Sequence, residues 1–297
     1  MPELPDVEVY VECLAVRTVG ARLEHARIVN PFLLRSVDPP IAACEGKQVV
    51  GVRRLGKRVV LALEDELFIA LHLMIAGRLH WADPARALPK RPFLCVLEFT
   101  SGTLALTEAG SKRRASLFVV RGESALCALD RGGIEPLTAT RAAFRERLVL
   151  ENHTLKRALT DPRLFSGIGN AYSDEILHRA RLSPLALTRA LDDAEIERLF
   201  QAVRSTLVEW TARLRADAKD GFPTKVTAFR AEMAVHGRFG KPCPVCGTAV
   251  QRIVYAENEC NYCPRCQTGG RVLADRALSR LLKDDWPRTI DELERGR

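Results

Sequence analysis

Two Cys-x-x-Cys pairs, Cys243-Pro-Val-Cys246 and Cys263-Pro-Arg-Cys266, flank residues 247–262 with the ligand spacing of a zinc ribbon. Four thiolates close a tetrahedral site with no open position, so one zinc here would be structural, organising a hairpin and performing no chemistry. At the other end of the chain, removal of Met1 would expose the secondary amine of Pro2. Its unperturbed pKa of about 8 leaves a substantial neutral, nucleophilic fraction at physiological pH. Glu3 beside it could shuttle protons, or could simply be a favourable charge in the first turn of a helix. Lys57 follows Gly56 among Arg53, Arg54 and Arg58, a setting in which a loop lysine can hold a phosphate or merely face solvent. Gly167-Ile168-Gly169-Asn170 runs into a helical stretch, and a glycine-rich turn at a helix N-terminus favours an anion.

The elements that must position these groups are legible as changes of period. Val7, Val11, Leu14 and Ala15 recur at helical spacing, which anchors the N-terminus in a first helix. From Leu23 to about Ala128 the pattern becomes short apolar or alternating runs, VVGVRRL, RVVLAL, LFIALHL, FLCVLEF, TLALT and SLFVV, expected to form a β-sandwich. RGGIEPL, residues 131–137, is a Gly/Pro break. Beyond it the spacing is helical over 144–148, 154–159, 171–179 and 193–219. VQRIVY, residues 250–255, alternates like one strand of a hairpin between the cysteine pairs, and AENECN would be its tip and the return strand. Leu273, Leu278, Leu281 and Leu282 give the last segment near-helical spacing.

With 297 residues there is ample chain for two domains and a large core. The longest nearly apolar stretch, Leu67–Gly77, carries His72 and is far shorter than the roughly 20 residues that cross a bilayer, which excludes a transmembrane helix. The acidic start MPELPDVE is unlike a signal peptide, so the expected location is the cytoplasm. Without an export signal, Cys13, Cys44, Cys95 and Cys127 read as small buried residues, and Cys260 as a core residue more than a reactive thiol. Lys and Arg number 45 against 37 Asp and Glu, and the resulting +8 points, weakly on its own, to a polyanionic partner.

Pro2-Glu3-Leu4-Pro5, Gly56-Lys57, Gly167-Ile168-Gly169-Asn170 and the ribbon GRFGKPCPVCG…Cys263-Pro-Arg-Cys266-Gln267 occur in the order of one family. Together they resemble the formamidopyrimidine-DNA glycosylase / endonuclease VIII family, over residues 1 to about 268. The resemblance implies an α+β protein. Residues 1–134 would form a catalytic β-sandwich domain with an N-terminal helix, and 135–236 a helical helix-two-turns-helix domain. Residues 237–268 would form a zinc-finger hairpin and 269–297 a tail of no assigned role. It implies a monomer that binds damaged double-stranded DNA in a cleft between domains and has no membrane partner. Pro2 would attack the sugar C1′, Glu3 would move protons, and the resulting iminium would permit both base removal and strand cleavage. Lys57, Lys156 and Asn170 would hold phosphates, with Tyr172 and Glu175 completing the helix-two-turns-helix signature.

Several positions depart from the family pattern. Met is usual one place after Met74, where this chain has Ile75, so an apolar wedge into the vacated stack would come from Ile75 or Met74. TEAGSKRRASLF stands where an Asp-Pro-Arg-Arg-Phe-Gly loop is typical, leaving Arg113 or Arg114 to read the orphan base. Asp6 replaces a commoner Glu, and Gly221–Gly237 is too short for the Gly-rich lid over 8-oxoguanine. Asn258 replaces the hairpin's phosphate-binding arginine between Glu257 and Glu259, so grip there would be weak or supplied by Arg252 or Arg265. These departures point from 8-oxoguanine towards formamidopyrimidines, oxidised pyrimidines or bulkier lesions. A damaged-DNA-binding clamp without glycosylase activity, or a lyase acting only on abasic sites, stays open as the alternative.

Overall fold

The computed structural model describes residues 1–297 apart from 85–91, 110–111, 220, 224–225, 227–229, 256–257, 275–279, 282–286 and 296–297, and apart from the side chains of 258 and 294. The chain divides into two compact units, Met1–Arg131 with Glu209–Thr227, and Gly132–Val208 with Ala228–Arg297.

The first unit opens with α1 (Leu4–Thr18). Pro5 suits the first helical turn, and the Glu3 N–H donates to Asp6 Oδ2 at 3.0 Å, one arm of a capping box. Two four-stranded antiparallel sheets follow. One has the order β1 (Leu23–Ile28), β6 (Cys95–Phe99), β7 (Gly102–Glu108), β5 (Gly77–Ala82). The other has the order β2 (Val49–Leu55), β3 (Arg58–Leu63), β4 (Leu67–His72), β8 (Ser116–Arg121). Their facing residues form one buried cluster with α1, to which β3 gives Val59, Leu61 and Leu63, β7 gives Leu104 and Leu106, and α1 gives Val7, Tyr10 and Leu14. The opposite face of β3 and β4, with Val60, Phe68 and Ala70, is covered by Leu126 of α2 (Glu123–Cys127). Covered on both sides, these strands read in the sequence as unbroken apolar runs. The sandwich is as expected; α2, at five residues, is too short to leave a periodicity. Glu12 of α1 pairs with Arg215 at 2.6 Å, and Phe222 lies 5.5 Å from the Tyr10 ring, so the segment after residue 208 packs on α1 within this unit.

The second unit contains α3 (Arg141–Val149), α4 (Leu155–Thr160), α5 (Asn170–Ala180) and the first part of α6 (Asp193–Ala218), on the stretches where helical spacing was read. Phe144 packs its ring 4.9 Å from Phe165 and 5.4 Å from Phe200 at the centre of this helical core. The antiparallel hairpin β9 (Gln251–Tyr255) and β10 (Asn258–Tyr262) leads into α7 (Pro264–Thr268), and α8 (Ile290–Arg295) ends the described chain. Leu278 and Leu282, on which the tail's helical reading partly rested, lie outside the described residues. Cys44 and Cys95 are buried as expected, whereas Cys13 is half-buried and Cys127 exposed. No described helix is long and apolar enough to cross a membrane.

Candidate active site and anion-binding helix terminus

In the first unit the chemistry gathers at the chain terminus. Pro2 is buried, Glu3 is 2% exposed and Asp6 3%. With Met1 in place, burial holds its α-amino group below the ordinary pKa; Glu3 and Asp6 oppose the shift, while Arg78 and Lys57 reinforce it. Glu3, Asp6, Lys57 and Arg78 are thus the charged groups around the terminus. Lys57 is carried by the tight turn between β2 and β3, in which Gly56 has φ +61°. Arg54 braces that turn, donating from Nε to Glu8 Oε2 and from Nη1 to the Gly56 carbonyl, both at 2.9 Å. Arg78 was not anticipated. Its Nη1 donates to the Gly77 carbonyl at 2.6 Å, and its only sequence signal is a basic residue directly after the wedge segment.

That segment is a tight turn from β4 to β5. The Gly77 N–H donates to the Leu73 carbonyl at 2.9 Å, and the Met74 N–H to His72 Nδ1 at 3.2 Å. Burial, aided by Arg58 and Lys57, lowers the His72 pKa to about 4, so at neutral pH the ring is uncharged and Nδ1 accepts. Met74 takes φ +51°, a conformation that favours glycine, and its side chain is half-buried. Ile75 is 55% exposed at the apex, so of the two wedge candidates Ile75 is the one presented to solvent. Gly77 permits this, since a Cβ there would sit 2.3 Å from the Leu73 carbonyl oxygen. Arg113 and Arg114 have exposed side chains on a loop pinned from below, where Glu108 accepts the N–H groups of Arg114 and Ala115 at 2.9 and 3.1 Å.

In the second unit Gly167, at φ +80°, turns the chain towards Gly169, the N-cap of α5. Asn170 stands at the first position of that helix, half-buried, with its Nδ2 donating to the Glu259 carbonyl of β10 at 2.9 Å. Lys156 and Tyr172 differ from expectation. The Lys156 ammonium faces inward, donating to the Asn170 carbonyl at 2.6 Å, Ser173 Oγ at 2.8 Å and Asp174 Oδ1 at 2.5 Å, with the residue 4% exposed. A lysine whose three N–H groups already have acceptors offers none to a phosphate. Tyr172 is 1% exposed, on the inward face of α5, and belongs to the core. Glu175 accepts the N–H groups of Ala234, Val235 and His236 at 2.7, 2.9 and 2.9 Å, an anchor for the segment entering the ribbon. Asn258 pairs with Tyr255 in the hairpin, and its side chain and Glu257 lie outside the described residues. Glu259 is paired with Arg252 at 3.3 Å, which offsets the repulsion expected of that carboxylate. Arg265 faces Asp291 at 3.7 Å. Cys260 is 2% exposed and burial pushes its thiol well above the usual range, as befits a core residue.

The Sγ atoms of Cys243, Cys246, Cys263 and Cys266 lie within 4.8 Å of one another, the pairs 243–266 and 246–263 at 3.9 and 3.4 Å. Four sulfurs about 2.3 Å from a tetrahedral zinc are about 3.8 Å apart, so the cluster fits one structural zinc. Outer contacts hold it: His178 Nε2 is 3.3 Å from Cys243 Sγ, and Gln267 Oε1 accepts the Cys263 N–H at 2.8 Å while its Nε2 donates to the Leu182 carbonyl at 2.9 Å. His178 had no signal in the sequence, because only the fold brings α5 to the ribbon.

A β-sandwich beginning in a buried, charge-ringed terminus and a helical unit carrying a four-thiolate ribbon define a DNA-repair glycosylase architecture, and comparison with known proteins agrees. Residues 1–115 match the formamidopyrimidine-DNA glycosylase N-terminal domain, 133–216 the H2TH domain of the same enzymes, and 240–269 the zinc finger found in FPG and IleRS. Formamidopyrimidine-DNA glycosylase of Thermus thermophilus is 35% identical over 91% of this chain and all of that one. The protein of the same name from Symbiobacterium thermophilum is 31% identical over 90% of this chain and 89% of that one. An uncharacterized formamidopyrimidine-DNA glycosylase-like protein of Mycobacterium tuberculosis is 44% identical over 43% of this chain and 80% of its own. The crystal structure of MutM (Fpg) from Thermus thermophilus superposes with a TM-score of 0.75 at 33% identity, covering 90% of this chain and 98% of that one. The chain belongs to the formamidopyrimidine-DNA glycosylase family.

Proposed function

We propose that this protein is a bifunctional DNA glycosylase and AP lyase of base excision repair, with the Pro2 amine as its nucleophile. The observation that carries the reading is the buried Pro2–Glu3 start of α1, where burial lowers the pKa of the Met1 α-amino group beside Glu3, Asp6, Lys57 and Arg78, the direction that favours the nucleophilic form of an amine placed there. After Met1 is removed, the Pro2 nitrogen bonds to the sugar C1′ as the glycosidic bond breaks and the base departs with a proton. Glu3 donates a proton to the sugar ring oxygen as the ring opens to an iminium. Loss of a C2′ proton then expels the 3′ phosphate in β-elimination. A second elimination expels the 5′ phosphate, and water hydrolyses the iminium to return the amine.

Around that step Lys57 holds a backbone phosphate, Ile75 fills the stack left by the flipped nucleotide, and Arg113 or Arg114 meets the orphan base. The N-terminus of α5 with Asn170 takes a flanking phosphate. Residues 1–134 carry the catalytic terminus, and the helical segment expected over 135–236, less the stretch 209–227 that belongs to the first unit, supplies the DNA grip with the ribbon 237–268. Formamidopyrimidines, oxidised pyrimidines or bulkier lesions are the favoured substrates, since the sequence lacks the long Gly-rich 8-oxoguanine lid and the Asp-Pro-Arg-Arg-Phe-Gly loop. The enzyme works where the chromosome is, in the bacterial cytoplasm.

Borohydride trapping on duplexes carrying an abasic site, a formamidopyrimidine, 8-oxoguanine or an oxidised pyrimidine tests this, with Pro2→Ala beside the wild type. Covalent capture by the wild type alone is expected and ranks the lesions. No capture on any substrate by protein with a verified Pro2 terminus, despite DNA binding, would overturn it.

A further inference from the structure

Within the second unit one carboxylate ties together three segments that the sequence separates widely. Asp174 lies on the second turn of α5 and is 1% exposed. Its Oδ1 accepts the Lys156 ammonium of α4 at 2.5 Å. Its Oδ2 lies 2.7 Å from His236 Nδ1 and accepts the Asn261 backbone N–H of β10 at 3.2 Å. Lys156 also donates to the Asn170 carbonyl, and Asn170 donates to the Glu259 carbonyl, two residues before Asn261. The bonds therefore close a ring: Asn170 to Lys156, Lys156 to Asp174, Asp174 to β10, and β10 back to Asn170.

We propose that Asp174 is a positioning residue for DNA contact, locking the N-terminus of α5 and strand β10 of the zinc hairpin at a fixed spacing through the Lys156 ammonium and the Asn261 N–H. The inference rests on the functional reading above. The pair is electrically closed: Lys156 is neutralised inside the protein and releases no counterion from DNA. It acts through Asn170, whose carbonyl it holds, and Asn170 in turn meets the hairpin. A ring of this kind fails as a unit. Removal of the carboxylate leaves a buried ammonium and frees β10, whereas removal of both charged members leaves no unpaired charge.

The test uses full-length zinc-loaded protein and a duplex with a tetrahydrofuran abasic analogue, comparing Asp174→Asn, Lys156→Met and the double variant. Dissociation constants are measured from about 50 to 300 mM salt, zinc per chain is recorded, and borohydride trapping is timed at saturating enzyme on a true abasic duplex. Each single variant is expected to weaken binding about tenfold, and the double variant to bind no worse than either. The trapping rate at saturation should stay within about twofold of wild type, because the nucleophile belongs to the other unit. The slope of log affinity against log salt should be unchanged. A Lys156→Met slope shallower by about 0.9, the signature of one lost phosphate contact, would overturn the proposal. Wild-type affinity in Asp174→Asn would do the same. Should Asp174→Asn lose its zinc, the double variant decides: wild-type zinc content with the slope unchanged supports the ring, and additive loss of affinity rejects it. A wild type that neither binds nor traps would remove the functional reading itself, and this inference with it.

Discussion

The Met74 backbone N–H donates to His72 Nδ1 at 3.2 Å, so the turn that presents Ile75 is held by an imidazole that must be neutral to accept. Burial sets the His72 pKa at about 4, against about 6.5 in the unfolded chain. The unfolded state takes up its proton first as pH falls. The stability His72 contributes is therefore complete above about pH 6.5 and lost as pH drops through about 4, amounting to at most ~3 kcal/mol. Urea unfolding between pH 7 and 4 should show a steeper fall for wild type than for His72→Gln. Parallel profiles would mean that the ring is not held neutral.

Gly77→Ala should be costly at a position that looks harmless in the sequence. The added methyl meets the Leu73 carbonyl oxygen at 2.3 Å, a backbone atom that cannot swing aside. We expect a loss of about 2 kcal/mol or more by thermal or denaturant unfolding. Gly56→Ala is the control, because nothing lies within 4 Å of its Cβ position and only its φ of +61° is strained, at about 1 kcal/mol.

Ile75 at the apex should matter to DNA and not to folding. Ile75→Gly is expected to weaken binding of an abasic duplex at least tenfold with little change in melting temperature, while Ile75→Met keeps most of the affinity, since insertion between bases needs bulk. Equal affinity for all three proteins would remove the wedge.

Zinc analysis separates the fifth cysteine from the other four. One zinc per chain is expected for wild type and for Cys260→Ser, and none for Cys246→Ser. A chelator should release that zinc and reduce DNA affinity together, because the ribbon's hairpin is organised by the metal.

How far the sequence could lead depended on the range of the interaction involved. The four zinc ligands and the helical stretches of the second unit are local patterns, and each was readable from spacing. The sandwich was readable from its short strands, although β3 and β4, buried on both faces, lost the alternation that marks a one-sided strand. Residues whose contacts come from distant partners were legible only in part. Lys156 looked like a phosphate ligand because its acceptors, Ser173 and Asp174, come from the next helix. Tyr172 shared the apparent promise of its motif, yet the helical phase of α5 turns it inward. Arg54, Arg78 and His178 act on carbonyls, charges and sulfurs that only the tertiary fold supplies.

The buried start of α1 has a practical bearing on how the protein is made. Pro2, Glu3, Leu4 and Pro5 are all buried, and an affinity tag or fusion partner at this end would keep the proposed Pro2 nucleophile acylated. Purification handles belong at the opposite terminus. Intact mass, reporting whether the initiator methionine has gone, then becomes the measure by which two preparations are comparable.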